Sequence, residues 1–325
     1  MTTIRVTHRP ALGAYTKLVA GCTFLLLLAG AMVTSTGSGL AVPDWPLSFG
    51  KIMPAMEGGV LYEHGHRMVA TFVGALIVVE ALWLWRVEPR RWVRALGWLA
   101  LGGVVLQGAL GGLTVLLGLP DAVSVSHAAL AELVFGLTVT IAVVRSRTWL
   151  EDGPAQAVDA DVPSLFSLAA LACAAIYLQI LIGAIVRHTG AGLAIPTFPL
   201  AFGRVIPPLD SFPVAIHFAH RVGAIVVAVP VAWVAARALR CHGNLPRIVR
   251  PALLLLALLA VQVGLGAWVI LSYKSAWVTS AHLGTGALLF ATALTLALRS
   301  RRYVALAPAP AHPPIRPHRE PAGAL

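Results

Sequence analysis

The sequence predicts an all-α integral membrane protein of eight transmembrane helices, arranged as two parallel-repeat four-helix bundles with both termini cytoplasmic. Composition, apolar run length and an internal duplication carry this prediction. Of 325 residues, 58% are hydrophobic and 11% charged, too little charge for the surface of a soluble protein. Apolar runs fall near residues 17–36, 63–85, 95–117, 124–144, 165–186, 212–235, 250–271 and 276–298. Each approaches or exceeds the roughly 20 residues that a helix needs to cross a hydrocarbon core of about 30 Å. The second four runs repeat landmarks of the first four at an offset of 153 to 155 residues.

Most of the 24 Lys and Arg residues lie in the N-terminal tail, the 86–94 loop, the 145–147 edge, the 237–250 loop and the C-terminal tail. The positive-inside rule places these segments in the cytoplasm. The net charge of +11 therefore reads as topology and contact with anionic membrane lipid, not as nucleic-acid binding. Cys22 and Cys173 fall inside apolar runs and Cys241 in a cytoplasmic loop, so no structural disulfide is expected.

In chain order, residues 1–16 form a short basic cytoplasmic tail without the composition of a transit segment. Residues 17–144 form the N-terminal half. Its first helix leads into a Gly- and Pro-punctuated outer loop, Thr34 to Gly50, which matches Arg187 to Gly203 in the second half at ten of seventeen positions. The match to an internal helix argues that the first helix is retained. Residues 145–164, with Glu151, Asp152, Gly153, Pro154, Asp159, Asp161 and Pro163, read as a solvated cytoplasmic linker. Residues 165–299 form the C-terminal half. Residues 300–325, rich in Pro, Ala and Arg, read as a disordered tail. Four helices per half return the chain to its starting side, so the repeat is parallel, unlike the inverted repeats of many transporters.

The chemistry lies in a repeated histidine pattern. Glu63-His64-Gly65-His66-Arg67 matches His217-Phe218-Ala219-His220-Arg221, and His127 matches His282, each 61 or 62 residues after its partner. All four matched histidines fall within about two turns of a helix end on the outer side. Two histidines on neighbouring helices can supply both axial ligands of a haem. A lone intramembrane histidine can equally well hydrogen-bond a neighbouring helix, but chance does not readily repeat the long spacing in both halves. No zinc is expected, since zinc sites gather three or four ligands at short spacing. His64 lies about 200° around the helix from His66 and lines the outer mouth or meets interfacial water.

Glu63 precedes His66 by three residues and shares its helix face. It is either a headgroup-level carboxylate favoured by the helix dipole or a catalytic carboxylate beside a haem; His217 at the matching position makes the two sites inequivalent. Arg67 and Arg221 suit either haem propionates or phospholipid phosphate. Trp45 and Phe49, matched by Phe198 and Phe202, suit the membrane interface, and the repeated loop backbone predicts lids over the two pockets. Gln107 and Gln262 suit interhelical hydrogen bonds.

Taken together, Glu63-x-x-His66-Arg67, the run Gln107-Gly108-x-Leu110-Gly111-Gly112-x-Thr114-Val115, His127, His220-Arg221 and His282 resemble the haem A synthase family of the CtaA/COX15 type, from about Lys17 to Arg299. The resemblance implies a haem b cofactor on His220 and His282, substrate haem O at His66 and His127, and a requirement for Glu63. The implied reaction oxidises the C8 methyl of haem O, through hydroxymethyl and a gem-diol, to the formyl group of haem A for the terminal oxidase. The implied partners are haem O synthase, subunit I of that oxidase and an unidentified electron donor; a homo-oligomer is left open. The chain departs from many bacterial members in having no cysteine pair in its first outer loop. A bacterial or archaeal plasma membrane is the expected location. The competing readings are a bis-histidine dihaem electron-transfer cytochrome b and a transporter or haem chaperone without chemistry.

Overall fold

A computed structural model describes residues 8–153 and 157–306. Its spanning helices are α1 (Pro10–Ser35), α2 (Gly59–Val87), α3 (Arg91–Leu116), α4 (Asp121–Val144), α6 (Leu165–His188), α7 (Phe212–Cys241), α8 (Pro246–Leu271) and α9 (Ala276–Tyr303). A five-residue α5 (Arg147–Glu151) and two short strands, β1 (Ala157–Asp159) and β2 (Val304–Leu306), lie at the basic end. Among the described residues, eight helices are long and apolar enough to cross a membrane.

The helices begin and stop where local chemistry dictates. Proline stands in the first turn of α1, α7 and α8, where its missing N–H costs nothing. Ser164 accepts the Ser167 N–H at the start of α6. Gly37 and Gly190, at matching positions just beyond α1 and α6, take left-handed φ values of 68° and 71°, which a glycine adopts without a Cβ penalty. Several helices run past their apolar stretches into basic residues, as at Arg240 in α7 and Arg301 and Arg302 in α9. Hydropathy marks the hydrocarbon span, whereas backbone hydrogen bonding carries the helix through the headgroup layer.

In each half, consecutive helices pack side by side and the first packs on the last, α1 on α4 and α6 on α9. The halves meet through α1 against α9, α4 against α6 and α4 against α9. One apolar core fills each half. Arg187, half-buried at the end of α6, crosses the seam to donate from Nη2 to the Ala31 carbonyl (2.5 Å) and Ser35 Oγ (2.9 Å) of α1.

The linker and tail differ from expectation. Residues 145–164 are not a solvated tether throughout: Arg145 is buried and donates to Glu88 at 2.7 Å, and Glu88 also receives two bonds from the Arg90 side chain at 2.7 and 3.0 Å. Burial works to raise the Glu88 pKa, but the Arg90 hydrogen bonds and the charges of Arg90 and Arg145 outweigh it and hold the group below its ordinary value. β1 pairs in parallel with β2, and Asp159 Oδ2 accepts the Leu165 N–H at 2.6 Å. Residues 300–306, placed by sequence in a disordered tail, continue α9 and form β2; residues 307–325 lie outside the described residues. The scattered acidic residues and prolines of the linker read as solvated because their partners, Arg237 for Asp159 and Asp161 and β2 for β1, are remote in sequence.

The two long loops at the opposite end share one local fold. Trp45–Pro46 and Phe198–Pro199 are both cis, Phe49 and Phe202 both have φ of 53°, and bridges join Ser48 to Lys51 and Ala201 to Arg204. A phenylalanine at positive φ is strained, and each loop ties it down differently. Asp44 accepts the Phe49 and Gly50 N–H groups at 2.7 and 2.8 Å; Thr197 Oγ1 accepts the Phe202 N–H at 2.8 Å.

The backbone bonds from Gly50 and Phe49 lower the Asp44 pKa. A depressed carboxyl contributes order above its unfolded pKa and loses it as pH falls through the folded pKa. Acidification is therefore expected to speed amide hydrogen exchange at Phe49 and Gly50 relative to Phe202. Equal protection of both loops across the titration would refute this.

Candidate active site

His66 is the eighth residue of α2, His127 the seventh of α4, His220 the ninth of α7 and His282 the seventh of α9. At about 1.5 Å per residue all four therefore lie toward the loop end of the bundle.

Each ring rests on a glycine of an adjacent helix. A Cβ built on Gly30 would lie 3.1 Å from His66 Cε1, on Gly183 3.0 Å from His220 Cε1, on Gly111 3.3 Å from His127 Cε1, and on Gly266 3.1 Å from His282 Cε1. Each glycine thus lets an imidazole lie against a helix backbone, and the arrangement occurs twice in each half. His220 and His282 stand with ring centres 6.4 Å apart, at 74°. Two imidazoles on one metal, each bond about 2.0–2.1 Å long, place their ring centres roughly 6.3 Å apart. The ring separation of the second pair is thus that of two imidazoles with one metal between them. His66 and His127 occupy the matching positions of the first half, each seated on its own glycine. Nδ1 of His66, His127 and His282 is buried without a hydrogen-bond partner.

The loops meet the bundle through one repeated clamp. Val42 donates its N–H to Glu63 Oε2 at 2.8 Å, and its carbonyl accepts from Arg67 Nη2 at 3.0 Å. At the matching positions, Ile195 donates its N–H to His217 Nδ1 at 3.2 Å and accepts from Arg221 Nη2 at 2.8 Å. Glu63 and His217 thus do the same structural work with different charge. The carboxylate also holds Arg67 at 2.6 Å; Arg221 Nε lies 3.4 Å from His217 Nε2. Arg67 is further engaged with the Asp44 and Leu47 carbonyls at 2.7 and 3.0 Å, so its guanidinium is committed to the loop. Arg221 Nη1 is buried without a partner.

His64, which sequence placed at the mouth, is buried and shares a 2.7 Å hydrogen bond with Ser48 Oγ. Trp45 packs onto α3 where Gly112 has no side chain: a Cβ there would lie 2.6 Å from the indole. Gln262 Nε2 lies 3.4 Å from His282 Nε2, joining α8 to α9. Gln107 Oε1 is buried without a partner.

Three features went unremarked in the sequence. Glu80 and Glu132, 0% and 4% exposed, have carboxyl oxygens without hydrogen-bond partners inside the first half. Gln179 on α6 bonds His220. Each is a polar residue in an apolar run, a signal that was present and that by itself marks an intramembrane functional candidate.

A family model described as COX15-CtaA, cytochrome oxidase assembly protein, matches residues 14–294. This chain belongs to the COX15-CtaA family. The COX15-CtaA protein described here is 36% identical over 282 residues to the haem A synthase of Symbiobacterium thermophilum, covering 84% of this chain and 90% of that protein. It is 29% identical over 273 residues to the haem A synthase of Halalkalibacterium halodurans (82% and 90%), and 28% identical over 351 aligned positions to that of Methylobacterium radiotolerans (94% of each). The COX15-CtaA match takes in both histidine pairs and both loops.

Proposed function

We propose that this COX15-CtaA protein is a haem A synthase that oxidises the C8 methyl of haem O to the formyl group of haem A, a net R–CH3 + H2O → R–CHO + 4 H+ + 4 e− whose electrons pass to an external oxidant. The observation that carries the assignment of roles is the matched clamp, in which Glu63 of the first half and His217 of the second occupy one structural position with different charge. Haem O is the substrate of the first half, between His66 and His127. His220 and His282 would hold haem b as the resident cofactor of the second half, and it would supply a centre that passes electrons singly.

The chain's own residues do the rest. His66 and His127, seated on Gly30 and Gly111, orient the substrate. Glu63 takes up protons released as the methyl is oxidised, at whichever carboxylate oxygen is freed from Val42 or Arg67. The loop carrying Trp45 limits water access to the pocket. Arg221 Nη1, the guanidinium nitrogen left without a partner, is better placed than Arg67 to meet a propionate. Multi-pass insertion in a bacterial plasma membrane suits a substrate too apolar to move through water. The expected partners are haem O synthase upstream, subunit I of the terminal oxidase downstream and an electron donor.

Expression in a host that makes haem O but no haem A tests the reading. Haem A is expected in extracted haems by chromatography. Its absence, with the protein folded and haem b loaded, would overturn the reading in favour of an electron carrier or haem chaperone.

A further inference from the structure

The two outer loops share a feature that packing within the chain leaves unexplained. Ser48 and Lys51 exchange both backbone hydrogen bonds, at 2.9 and 3.0 Å, as do Ala201 and Arg204, at 2.8 and 3.0 Å. The residues between them, Phe49-Gly50 and Phe202-Gly203, all stand at positive φ, the arrangement of a type I′ hairpin turn. That turn favours Asn-Gly, and a bulky residue at its first central position is an outlier. Both halves nevertheless place phenylalanine there, and both leave it about half exposed. Strain kept in register at an exposed side chain points to a role outside the chain.

The surroundings of each phenylalanine are matched too. Lys51-Ile52-Met53-Pro54 follows in one loop and Arg204-Val205-Ile206-Pro207 in the other. Ser48, Pro54, Ala201 and Pro207 are buried, so each tip is rooted at both ends, while Ile52 is 84% and Val205 78% exposed. Each tip thus offers apolar side chains and one cation. Asp44, the nearest acid before the first tip, has both oxygens on the Phe49 and Gly50 N–H groups, and acid returns after the tips only at Glu57 and Asp210, just before α2 and α7. Exposed apolar surface of this kind suits a protein or a lipid partner, and the depth of the loops favours lipid. Ser48 Oγ lies 2.7 Å from Nδ1 of His64, the sixth residue of α2, about 7.5 Å along the axis from its first. Trp45 packs at Gly112, four residues short of the end of α3. The Arg221 guanidinium, carried on the tenth residue of α7, lies 5.9 Å from the centre of the Phe198 ring. The loops therefore fold down beside the helices and do not stand off them. Met68 and Val222, four residues beyond His64 and its match Phe218, are exposed, so apolar surface continues further along both helices. Aromatic side chains beside a cation at this level suit the headgroup layer.

We propose that the two Phe-Gly hairpins are membrane anchors: Phe49, Ile52 and Met53 in one loop, and Phe202, Val205 and Ile206 in the other, enter the outer leaflet, while Lys51 and Arg204 meet lipid phosphate. Each loop is then held from two sides, by its arginine clamp within the chain and by the bilayer outside it. This anchoring is independent of which haem occupies either half.

The test places a nitroxide label on Ile52→Cys or Val205→Cys in the full chain carrying Cys22→Ala, Cys173→Ala and Cys241→Ala, reconstituted in vesicles of phosphatidylethanolamine and phosphatidylglycerol. Power-saturation electron paramagnetic resonance compares collisions with oxygen, which concentrates in the bilayer, and with a neutral nickel chelate, which stays in water. Val162→Cys, at a position 94% exposed in the linker at the basic end, reports a side chain in water. The oxygen-to-nickel ratio is expected to be higher at positions 52 and 205 than at 162. Adding Phe49→Asn, which suits the turn but not the bilayer, is expected to lower the ratio at position 52. A ratio no higher than that at position 162 would overturn the anchor in the half concerned and leave its tip to a protein partner. An unchanged ratio at position 52 with Phe49→Asn would remove Phe49 from the anchor.

Discussion

Glu63→Gln is expected to leave haem bound and to cut conversion of haem O by about 100-fold or more, the lower range for a positioned proton-transfer group. The amide oxygen can still accept the Val42 N–H, and Arg67 keeps its bonds to the Val42, Asp44 and Leu47 carbonyls, so the loop stays tied while the Glu63–Arg67 ion pair, the charge and the exchangeable proton are lost. Haem content of the purified variant, set beside haem A formed per turnover assay, separates the two effects. His217→Gln at the matching position provides the control: it alters the same clamp in the second half, and its conversion of haem O is expected to stay within a few-fold of wild type. Full conversion by Glu63→Gln would remove the carboxylate from the chemistry and leave it a purely structural partner of the loop.

The second large effect is expected at the opposite end. Glu88→Leu strands the Arg145 guanidinium, whose side chain is 1% exposed and whose contact with Glu88 at 2.7 Å is its hydrogen-bonded ion pair; Nε and Nη2 already lack partners. Breaking one side of a buried pair costs about 3–5 kcal/mol, whereas replacing both sides with apolar groups is often near neutral. Unfolding in detergent should therefore show a large loss for Glu88→Leu and substantial recovery in Glu88→Leu/Arg145→Leu. A single variant as stable as wild type would show that the pair contributes nothing. The pH dependence has a defined sign. Because the folded Glu88 pKa is held below its ordinary value, the stabilisation is present above the unfolded pKa and is lost as pH falls through the folded one.

The eight spans were legible because a hydrocarbon core imposes one length on every crossing, and the duplication was legible because loop residues with special backbone demands, such as Gly37 and Gly190, recur in register. The four histidines could be picked out for the same reason. The partners of the loop arginines could not: Arg67 and Arg221 hold the carbonyls of Val42 and Ile195, and nothing in a helix sequence announces that a guanidinium will bend back onto a loop some 25 residues before it. His64 was misjudged because its bond to Ser48 joins helix to loop, and helical periodicity alone places it away from the ligand face. The structured part of the linker was hidden because β1 pairs with β2 across almost the whole second half, and three-residue strands leave no periodicity to read.

That pairing has a mechanical meaning. A helix opens most cheaply by fraying from its free end. α9 carries His282, and its last turn is pinned: Tyr303 donates to the Thr148 carbonyl, Arg302 donates to the carbonyls of Trp149 and Asp152, and β2 lies zipped along β1 immediately afterwards. Freeing the end of α9 requires breaking the bonds that join Val304–Leu306 to Ala157–Asp159 as well as those of Arg302 and Tyr303. The helix that carries His282 is thus held at its far end, and the linker that joins the halves also serves as the latch on the end of the second.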